Sequence, residues 1–226
     1  MLNSNGMNFE DTFRTVKKSE IASGNFQNGR LPVMEQFYTI QGEGFHSGTA
    51  AYFIRLAGCD VGCAWCDVKE SWQIETDQYF SIEEIVKPSL EFPCRITVIT
   101  GGEPCMHDLT ELINQLHSHE FKVHIETSGA YPLTGNADWV CVSPKKFKSP
   151  LRDVLAVADE LKVVIFNSSD FKWAEENAQQ VKQQCKLFLQ PEFDKSDKLM
   201  PGIVEYVKQN PRWHISLQTH KFIGIP

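Results

Sequence analysis

The sequence predicts an α/β protein whose core is a partial, open TIM-like barrel of about six parallel strands. Short apolar segments alternate with helix-forming segments, a pattern typical of parallel sheets. Nearly every apolar segment ends in a short polar or glycine-containing loop, and ligands bind at that edge of a parallel sheet. A closed barrel of eight units takes about 250 residues, whereas this chain has 226 residues and begins with a polar stretch. We expect an extension over residues 1–32 and one domain over residues 33–226.

The predicted strands follow the extension in order. Residues 34–40 lead into a Gly-Glu-Gly turn at residues 42–44, where glycine permits a close backbone approach. Residues 51–57 form an apolar strand that is interrupted by Arg55 and leads directly into a cysteine-rich loop. The later strands are expected over residues 95–100, 121–126, 138–142, 161–166, 185–189 and 213–217.

Capping patterns predict the helices between these strands. Ser81 with Glu84 forms a capping box that opens a short helix. Asp108 with Glu111 is a second such pair and precedes an amphipathic helix. The apolar stripe of that helix consists of Leu109, Leu112, Ile113 and Leu116. Further helices are expected near residues 170–184 and 199–209, and Glu160 is expected in a solvated turn.

Composition excludes several classes of protein. The formal charge of −7 argues against broad nucleic-acid binding, which needs clustered Lys and Arg. No apolar run approaches the roughly 18 residues of a membrane span, and the N-terminus lacks the apolar core of a secretory signal. We therefore expect a cytoplasmic protein that binds neither nucleic acid nor a membrane. Four scattered cysteines are expected to be buried, inert thiols, namely Cys94, Cys105, Cys141 and Cys185.

The remaining three cysteines define the candidate site. Cys59, Cys63 and Cys66 have a C-x3-C-x2-C spacing on one loop, and thiolates suit iron–sulfur clusters and zinc. Three thiolates on a cluster of four irons leave one iron open to a substrate. A closed zinc site needs a fourth Cys or His, and none follows locally. A zinc loop and three unconnected thiols remain the alternatives at this point.

The cysteine loop, with Trp65 before its last cysteine, is followed one strand later by Gly101-Gly102-Glu103-Pro104. Together these motifs resemble the radical S-adenosylmethionine (SAM) superfamily. The resemblance implies a radical SAM core that holds a 4Fe-4S cluster and SAM. In that superfamily, the Gly-Gly-Glu-Pro backbone binds the amino group of the methionine part of SAM. Gly102 would allow this close approach because it has no side chain.

Further motifs resemble the 7-carboxy-7-deazaguanine synthase family within that superfamily. They are Ile40-Gln41-Gly42-Glu43-Gly44, Arg55, Thr100-Gly101-Gly102-Glu103-Pro104, Glu126-Thr127-Ser128-Gly129, Ser143-Pro144-Lys145, Gln190-Pro191 and Gly224-Ile225-Pro226. The resemblance implies a radical SAM carbon–nitrogen lyase of queuosine biosynthesis. Its reaction contracts 6-carboxy-5,6,7,8-tetrahydropterin to 7-carboxy-7-deazaguanine and releases ammonia, after a 5′-deoxyadenosyl radical takes hydrogen from carbon 6 of the pterin.

The resemblance also implies three sets of site residues. The cluster ligands are Cys59, Cys63 and Cys66. The residues bordering SAM are Trp65, Cys66, Asp67, Gly102, Ser128, Ser143, Pro144, Lys145 and Gln190. The residues facing the pterin are Ile40, Gln41, Gly42, Glu43, Arg55, Thr100 and Pro226.

Chemistry supports the pterin set independently. A pterin carboxylate suits the bidentate fork of Arg, and the amino-pyrimidinone edge of the pterin suits carboxylate and amide acceptors. Arg55 lies in an apolar strand, where an unpaired charge is costly, although a structural ion pair is the alternative explanation. The apolar C-terminal segment 222–226 is expected to pack inward, with the terminal carboxylate at the pterin.

One position departs from the family pattern. The family has Thr two residues after the third cysteine, at a magnesium site, whereas this chain has Val68, which offers no oxygen to a hard cation. Asp67, Glu70 or Ser71, or the substrate and water, remain possible Mg²⁺ ligands. The resemblance further implies a flavodoxin-type or other reductant and a homodimer. The alternative functions are a glycyl-radical enzyme activating protein and a non-enzymatic iron–sulfur or zinc module.

Overall fold

The structure, a computed structural model, describes residues 29–226. These residues form a single nine-stranded sheet with the strand order β3-β1-β2-β4-β5-β6-β7-β8-β9. The strands are β1 (Arg30–Ile40), β2 (Ala50–Leu56), β3 (Tyr79–Ser81), β4 (Ile96–Gly101), β5 (Lys122–Thr127), β6 (Trp139–Val142), β7 (Glu160–Ile165), β8 (Lys186–Pro191) and β9 (Trp213–Ile215). The predicted extension lies outside the described residues up to residue 28, and its last three residues, 30–32, belong to β1.

The sheet is open, as the sequence predicted. The seven strands β2 and β4 to β9 are parallel neighbours, one more than the predicted number of about six. β1 pairs antiparallel with both β2 and β3, an addition that the βα alternation did not indicate. The edge strands β3 and β9 are not paired with each other, so the barrel does not close.

Six α-helices connect the described strands or follow them, and their ends differ from the predicted ones. They are α1 (Ile82–Val86), α2 (Thr110–Ser118), α3 (Arg152–Val157), α4 (Asp170–Ala178), α5 (Ser196–Gln209) and α6 (Thr219–Ile223). The Ser81–Glu84 capping box is confirmed, with both of its hydrogen bonds formed. The second predicted pair forms only in part. α2 begins at Thr110, and its N-cap Leu109 has no side-chain cap, but the Asp108 carboxylate accepts a hydrogen bond from the Thr110 N–H.

The two faces of the sheet have different roles because side chains alternate along each strand. The outer face packs against the helices, and the predicted stripe of α2 is fully buried there. On β7, Leu161, Val163 and Ile165 belong to this apolar layer, whereas Glu160 and Lys162 point into the barrel. The expectation of a solvated Glu160 is wrong, since this residue is only 3% exposed.

The β1–β2 connection determines the shape of the barrel interior. Ile40 pairs with Ala50 at the amino end of β2, so loop 41–49 lies at the amino ends of the parallel strands. Phe45 stacks on Trp139 at 5.3 Å between ring centroids, and His46 lies 4.5 Å from the His124 ring. This loop therefore forms a floor across the barrel.

No helix of residues 29–226 is long and apolar enough to cross a membrane.

Candidate active site

A cavity of about 850 Å³ extends from the carboxyl ends of the parallel strands into the barrel. Its size lies toward the upper end of the range of about 300–1,000 Å³ that is usual for small-molecule sites. All the site residues predicted from the sequence line it except Pro144. Pro144 is buried, while its two neighbours Ser143 and Lys145 face the cavity.

The cysteine loop forms one wall of this cavity. Cys63 is buried, and Cys59 and Cys66 are half-buried. The loop is fixed by backbone hydrogen bonds from Gly58 N–H to the Ser71 carbonyl (2.7 Å) and from Cys59 N–H to the Trp72 carbonyl (3.2 Å). The Trp72 indole N–H donates to Cys66 Sγ at 3.4 Å. The three thiols are thus held on a supported loop that opens to the cavity.

The donor set of this loop suits a cluster better than a single metal ion. Within residues 29–226, no three His, Cys, Asp or Glu side chains converge closely enough to hold one ion. A 4Fe-4S cluster binds its thiolates through different irons, so three spaced thiols fit it. Burial raises the pKa of Cys59 and raises the pKa of Cys63 to about 11. Cluster binding would therefore release protons from these thiols.

The Gly-Gly-Glu-Pro turn at the end of β4 is packed directly against the cysteine loop. Gly102 N–H donates to the Leu56 carbonyl (2.9 Å), and Glu103 N–H donates to the Gly58 carbonyl (2.8 Å). The buried Glu103 carboxylate accepts hydrogen bonds from the Thr127 hydroxyl (2.6 Å) and the Ser128 N–H (2.8 Å). The Ser128 hydroxyl also donates to Glu103. The turn therefore joins the cysteine loop to the end of β5.

The predicted SAM-bordering residues beyond β5 lie on the same side of the cavity. Lys145 Nζ donates to the Ser143 hydroxyl at 2.6 Å and lies 5.1 Å from the centroid of the Trp65 ring. Gln190 accepts a hydrogen bond from the Ser216 hydroxyl at 2.7 Å. Ser216 in turn accepts from the Gly44 N–H at 2.9 Å, which connects β8 to the floor loop.

The predicted pterin residues come from the floor loop and from neighbouring strands. Glu43 accepts hydrogen bonds from Lys162 Nζ (2.5 Å) and Gln218 Nε2 (2.8 Å). Gln41 Nε2 donates to Glu126 at 2.7 Å. Thr100 is the β-sheet partner of Arg55. The polar side chains of this set thus surround the inner part of the cavity.

Arg55 faces the cavity and also makes the ion pair that was the alternative explanation for it. Its Nε donates to Glu35 across the β1–β2 pair at 2.6 Å, and its guanidinium lies 5.7 Å from the centroid of the Phe37 ring. Among the hydrogen bonds of the described residues, Arg55 uses only Nε. Its two Nη groups are therefore available to donate to the carboxylate of a ligand.

Asp67 and Val68 follow the last cysteine of the loop and line the cavity. Asp67 accepts hydrogen bonds from Lys221 Nζ (3.0 Å) and Gln218 Nε2 (3.4 Å). Burial raises the pKa of Asp67, but the hydrogen bond and charge of Lys221 outweigh it and lower that pKa. The Ser71 hydroxyl donates to the Val68 carbonyl, and Ser71 is buried. Of the three side chains considered for Mg²⁺, Asp67 lines the cavity, whereas Glu70 and Ser71 do not.

The C-terminal segment divides into two parts. Phe222 and Ile223 are exposed, so the expectation that the whole segment packs inward is wrong. Ile225 and Pro226 do line the cavity, and the Thr39 hydroxyl donates to the Pro226 oxygen at 3.4 Å. Gly224 adopts a left-handed φ of 69°, which turns the chain between the two parts.

Several cavity residues were not among the predicted site residues. Four of them contact Gln41, Gly42 or Glu43 of the floor loop, namely Glu126, Lys162, Gln218 and His220. Lys162 interrupts an apolar strand in the same way as Arg55, so the same signal was available for it. His220 packs on Gly42, where a Cβ would lie 2.1 Å from its ring. That contact depends on the position of α6, which no local sequence pattern indicates.

The open parallel sheet and the three-cysteine wall define a radical SAM enzyme. A model of the Radical SAM superfamily matches residues 53–164, which include the cysteine loop and the Gly-Gly-Glu-Pro turn.

More specific relatives match most of the chain. A 7-carboxy-7-deazaguanine synthase from Flavobacterium psychrophilum is 53% identical, over 87% of this chain and 93% of the relative. One from Synechocystis is 43% identical, over 86% of this chain and 93% of the relative. The crystal structure of QueE from Escherichia coli matches with a TM-score of 0.75 and 33% identity, covering 84% of this chain and 95% of that chain. The chain belongs to the 7-carboxy-7-deazaguanine synthase family.

Proposed function

We propose that this protein converts 6-carboxy-5,6,7,8-tetrahydropterin to 7-carboxy-7-deazaguanine and ammonia, as a lyase of queuosine biosynthesis. One observation carries the proposal: the cysteine loop and the predicted pterin residues, including Glu43 and Arg55, line a single cavity. A cofactor and a pterin bound to these residues would occupy the same cavity. Neither a glycyl-radical activating protein nor an electron-transfer module requires the pterin residues.

The proposed work of the chain is to bind and orient both ligands. Cys59, Cys63 and Cys66 would hold the cluster, and the ends of β4, β5, β6 and β8 would hold SAM. When bound, these cofactors supply the radical that takes hydrogen from carbon 6 of the pterin. Arg55 would bind the pterin carboxylate through its fork, while Glu43 would accept hydrogen bonds from the amino-pyrimidinone edge. Fixing both ligands in one enclosed cavity favours the reaction through proximity and exclusion of water.

Several finer features belong to the proposal. Asp67 and the substrate would supply oxygens for Mg²⁺ in place of residue 68. A flavodoxin-type or other reductant would approach near Trp65, where the neighbouring Phe147 is exposed. An apolar patch formed by Phe193, Phe222 and Ile223 suits the contact of a homodimer. We place the protein in the cytoplasm.

The test is an anaerobic incubation of reconstituted protein with SAM, reductant and the carboxytetrahydropterin, followed by mass spectrometry. We expect 7-carboxy-7-deazaguanine and ammonia in equal amounts. Cys63→Ala is the control and should give neither product. SAM cleavage by the wild-type protein without any change in the pterin would contradict the proposed function and favour a different radical SAM reaction.

A further inference from the structure

Lys162 is a buried cation between two carboxylates at the floor of the cavity. Its side chain is 4% exposed. Its Nζ lies 2.5 Å from Glu43 Oε2 and 3.2 Å from Glu126 Oε2. Glu43 comes from the floor loop and Glu126 from β5, two strands away from β7. The ammonium thus connects three separate parts of the barrel.

Packing alone does not explain a lysine at this position. The neighbouring Leu161 and Val163 fill the apolar layer under the helices, whereas Lys162 faces the cavity. An ammonium taken out of water is costly unless it is paired and hydrogen-bonded. Two carboxylates near each other in a buried site also cannot both remain ionised without a compensating charge. Lysine at position 162 provides that compensation.

Resting on the function proposed above, we infer that Lys162 is a positioning residue for the pterin, because its ammonium pairs with the carboxylates of Glu43 and Glu126 and fixes their orientation. Both carboxylates then accept hydrogen bonds from N–H groups of the amino-pyrimidinone edge. Lys162 acts through these two side chains and needs no contact with the substrate itself.

The hydrogen bonds around the pair leave room for a ligand. Gln218 donates to the other oxygen of Glu43, and Gln41 donates to the other oxygen of Glu126. Each of the four carboxylate oxygens therefore has one protein donor, and a carboxylate oxygen has two lone pairs. The unused lone pairs can accept from donors in the cavity.

The charges around Glu43 support the same role. Burial raises the pKa of Glu43, but the charge and hydrogen bond of Lys162, with the Gln218 hydrogen bond, lower it to about 2. Burial acts to lower the pKa of Lys162, whereas Glu126 and Glu43 raise it well above its usual value. Both groups are therefore charged at neutral pH.

Other titratable groups face this pair from several elements. They are Cys141 on β6, Glu160 at the start of β7, His220 on α6, and Asp67 and Lys145 on loops. Among them, His220 contributes to lowering the pKa of Glu43, but burial also lowers the pKa of His220 itself. His220 cannot replace the permanent charge of Lys162.

The test compares Lys162→Met with the wild-type enzyme, using iron content, SAM binding and the KM for the pterin as a function of pH. Without the ammonium, burial dominates and the pKa of Glu43 rises, so the carboxyl gains its proton as the pH falls. We expect the KM of the variant to be raised by about tenfold or more at neutral pH. The KM of the variant should increase as the pH is lowered, whereas the wild-type carboxylate of Glu43, with a pKa of about 2, stays ionised near neutral pH.

Two further variants separate charge from damage to the cavity. Lys172→Met makes the same change at a side chain that is 85% exposed, and it should leave the pH profile unchanged. The double variant Lys162→Met/Glu126→Gln removes one positive and one negative charge, so it keeps the net charge of the cavity. Its KM should depend less on pH than that of the single variant. If the single variant does not hold its cluster, the double variant is compared directly with the wild type.

Three results would overturn the inference. The first is a KM of Lys162→Met equal to that of the wild type. The second is a KM of Lys162→Met that is raised by the same factor at every pH. The third is an equal pH dependence of KM in the single and double variants. The proposed function fails in a different way, since the wild-type enzyme would then make no product from the pterin.

Discussion

Replacing Gly102 by Ala tests how the end of β4 supports the cysteine loop. A Cβ built on Gly102 lies 2.3 Å from the carbonyl oxygen of Gly58 and 2.9 Å from that of Ser71. Both are backbone atoms, so no side-chain rotation can relieve the contact. Real Cβ atoms essentially never approach such atoms within 3.0 Å, so the Gly58 carbonyl must move by at least about 0.7 Å, the difference from 2.3 Å.

This movement would directly affect the residues proposed to bind the cluster. Cys59 follows Gly58 in the chain, and Glu103 N–H donates to the same Gly58 carbonyl at 2.8 Å. Forcing a methyl group into a packed site costs about 1–3 kcal/mol, and a displacement of about 1 Å in an active site can cost about 10²-fold in rate. We therefore expect turnover of the pterin to fall roughly 100-fold, with less iron bound per chain.

The assay measures iron per chain after anaerobic reconstitution, SAM binding and product formation. Gly202→Ala is the matched control, because a Cβ at Gly202 in α5 meets nothing within 4 Å. That variant should behave as the wild type. If Gly102→Ala retains the iron and the turnover of Gly202→Ala, the contact with Gly58 does not support the cysteine loop and the reasoning is refuted.

Three other predictions concern the ligands and the substrate. Cys63→Ala should lose the cluster, whereas Cys185→Ala should keep it, as measured by iron per chain; loss of iron from the second variant would reveal a fourth thiol ligand. Arg55→Lys should raise the KM for the pterin while SAM binding is unchanged, because Lys cannot form the bidentate fork; an unaltered KM would remove Arg55 from the pterin site. Val68→Thr should increase the stimulation of turnover by Mg²⁺ relative to chelator, and an equal response in both proteins would mean that other groups hold the ion.

The parallel core was predictable because its strands and loops carry local patterns. Apolar segments marked the parallel strands, and the polar loops after them marked the edge where SAM is proposed to bind. The Ser81–Glu84 capping box also predicted the start of a helix correctly, because its two residues are only three positions apart in sequence. At Asp108 the same sequence spacing formed only part of the pair, because the Asp108 carboxylate accepts from the N–H of Thr110, two residues on.

The floor of the barrel could not be predicted in the same way. Loop 41–49 takes its position from contacts with distant residues, such as Phe45 with Trp139 and His46 with His124. Glu160 Oε2 accepts hydrogen bonds from the Phe45 N–H and the Trp139 indole N–H, which hold this buried carboxylate against the floor loop. The two hydrogen-bond partners of Glu160 lie 21 and 115 residues away from it in sequence, and no local sequence period indicates such pairings.

Lys162 connects the part of the chain that matches the Radical SAM superfamily with a segment outside that match. The match to the Radical SAM superfamily covers residues 53–164, which contain the three cysteines proposed for the cluster and most of the turns proposed for SAM. Glu43 and Gln218 lie outside this range, on the floor loop and beside α6. Lys162 lies near the end of the matched range and bonds to Glu43 across 119 residues of sequence. A superfamily core can therefore be adapted to one substrate by adding flanking segments, provided that a core strand carries a charge to hold them. On this view, exchanging the flanking segments alone would not transfer pterin recognition to another radical SAM enzyme that lacks a cation at the position of Lys162.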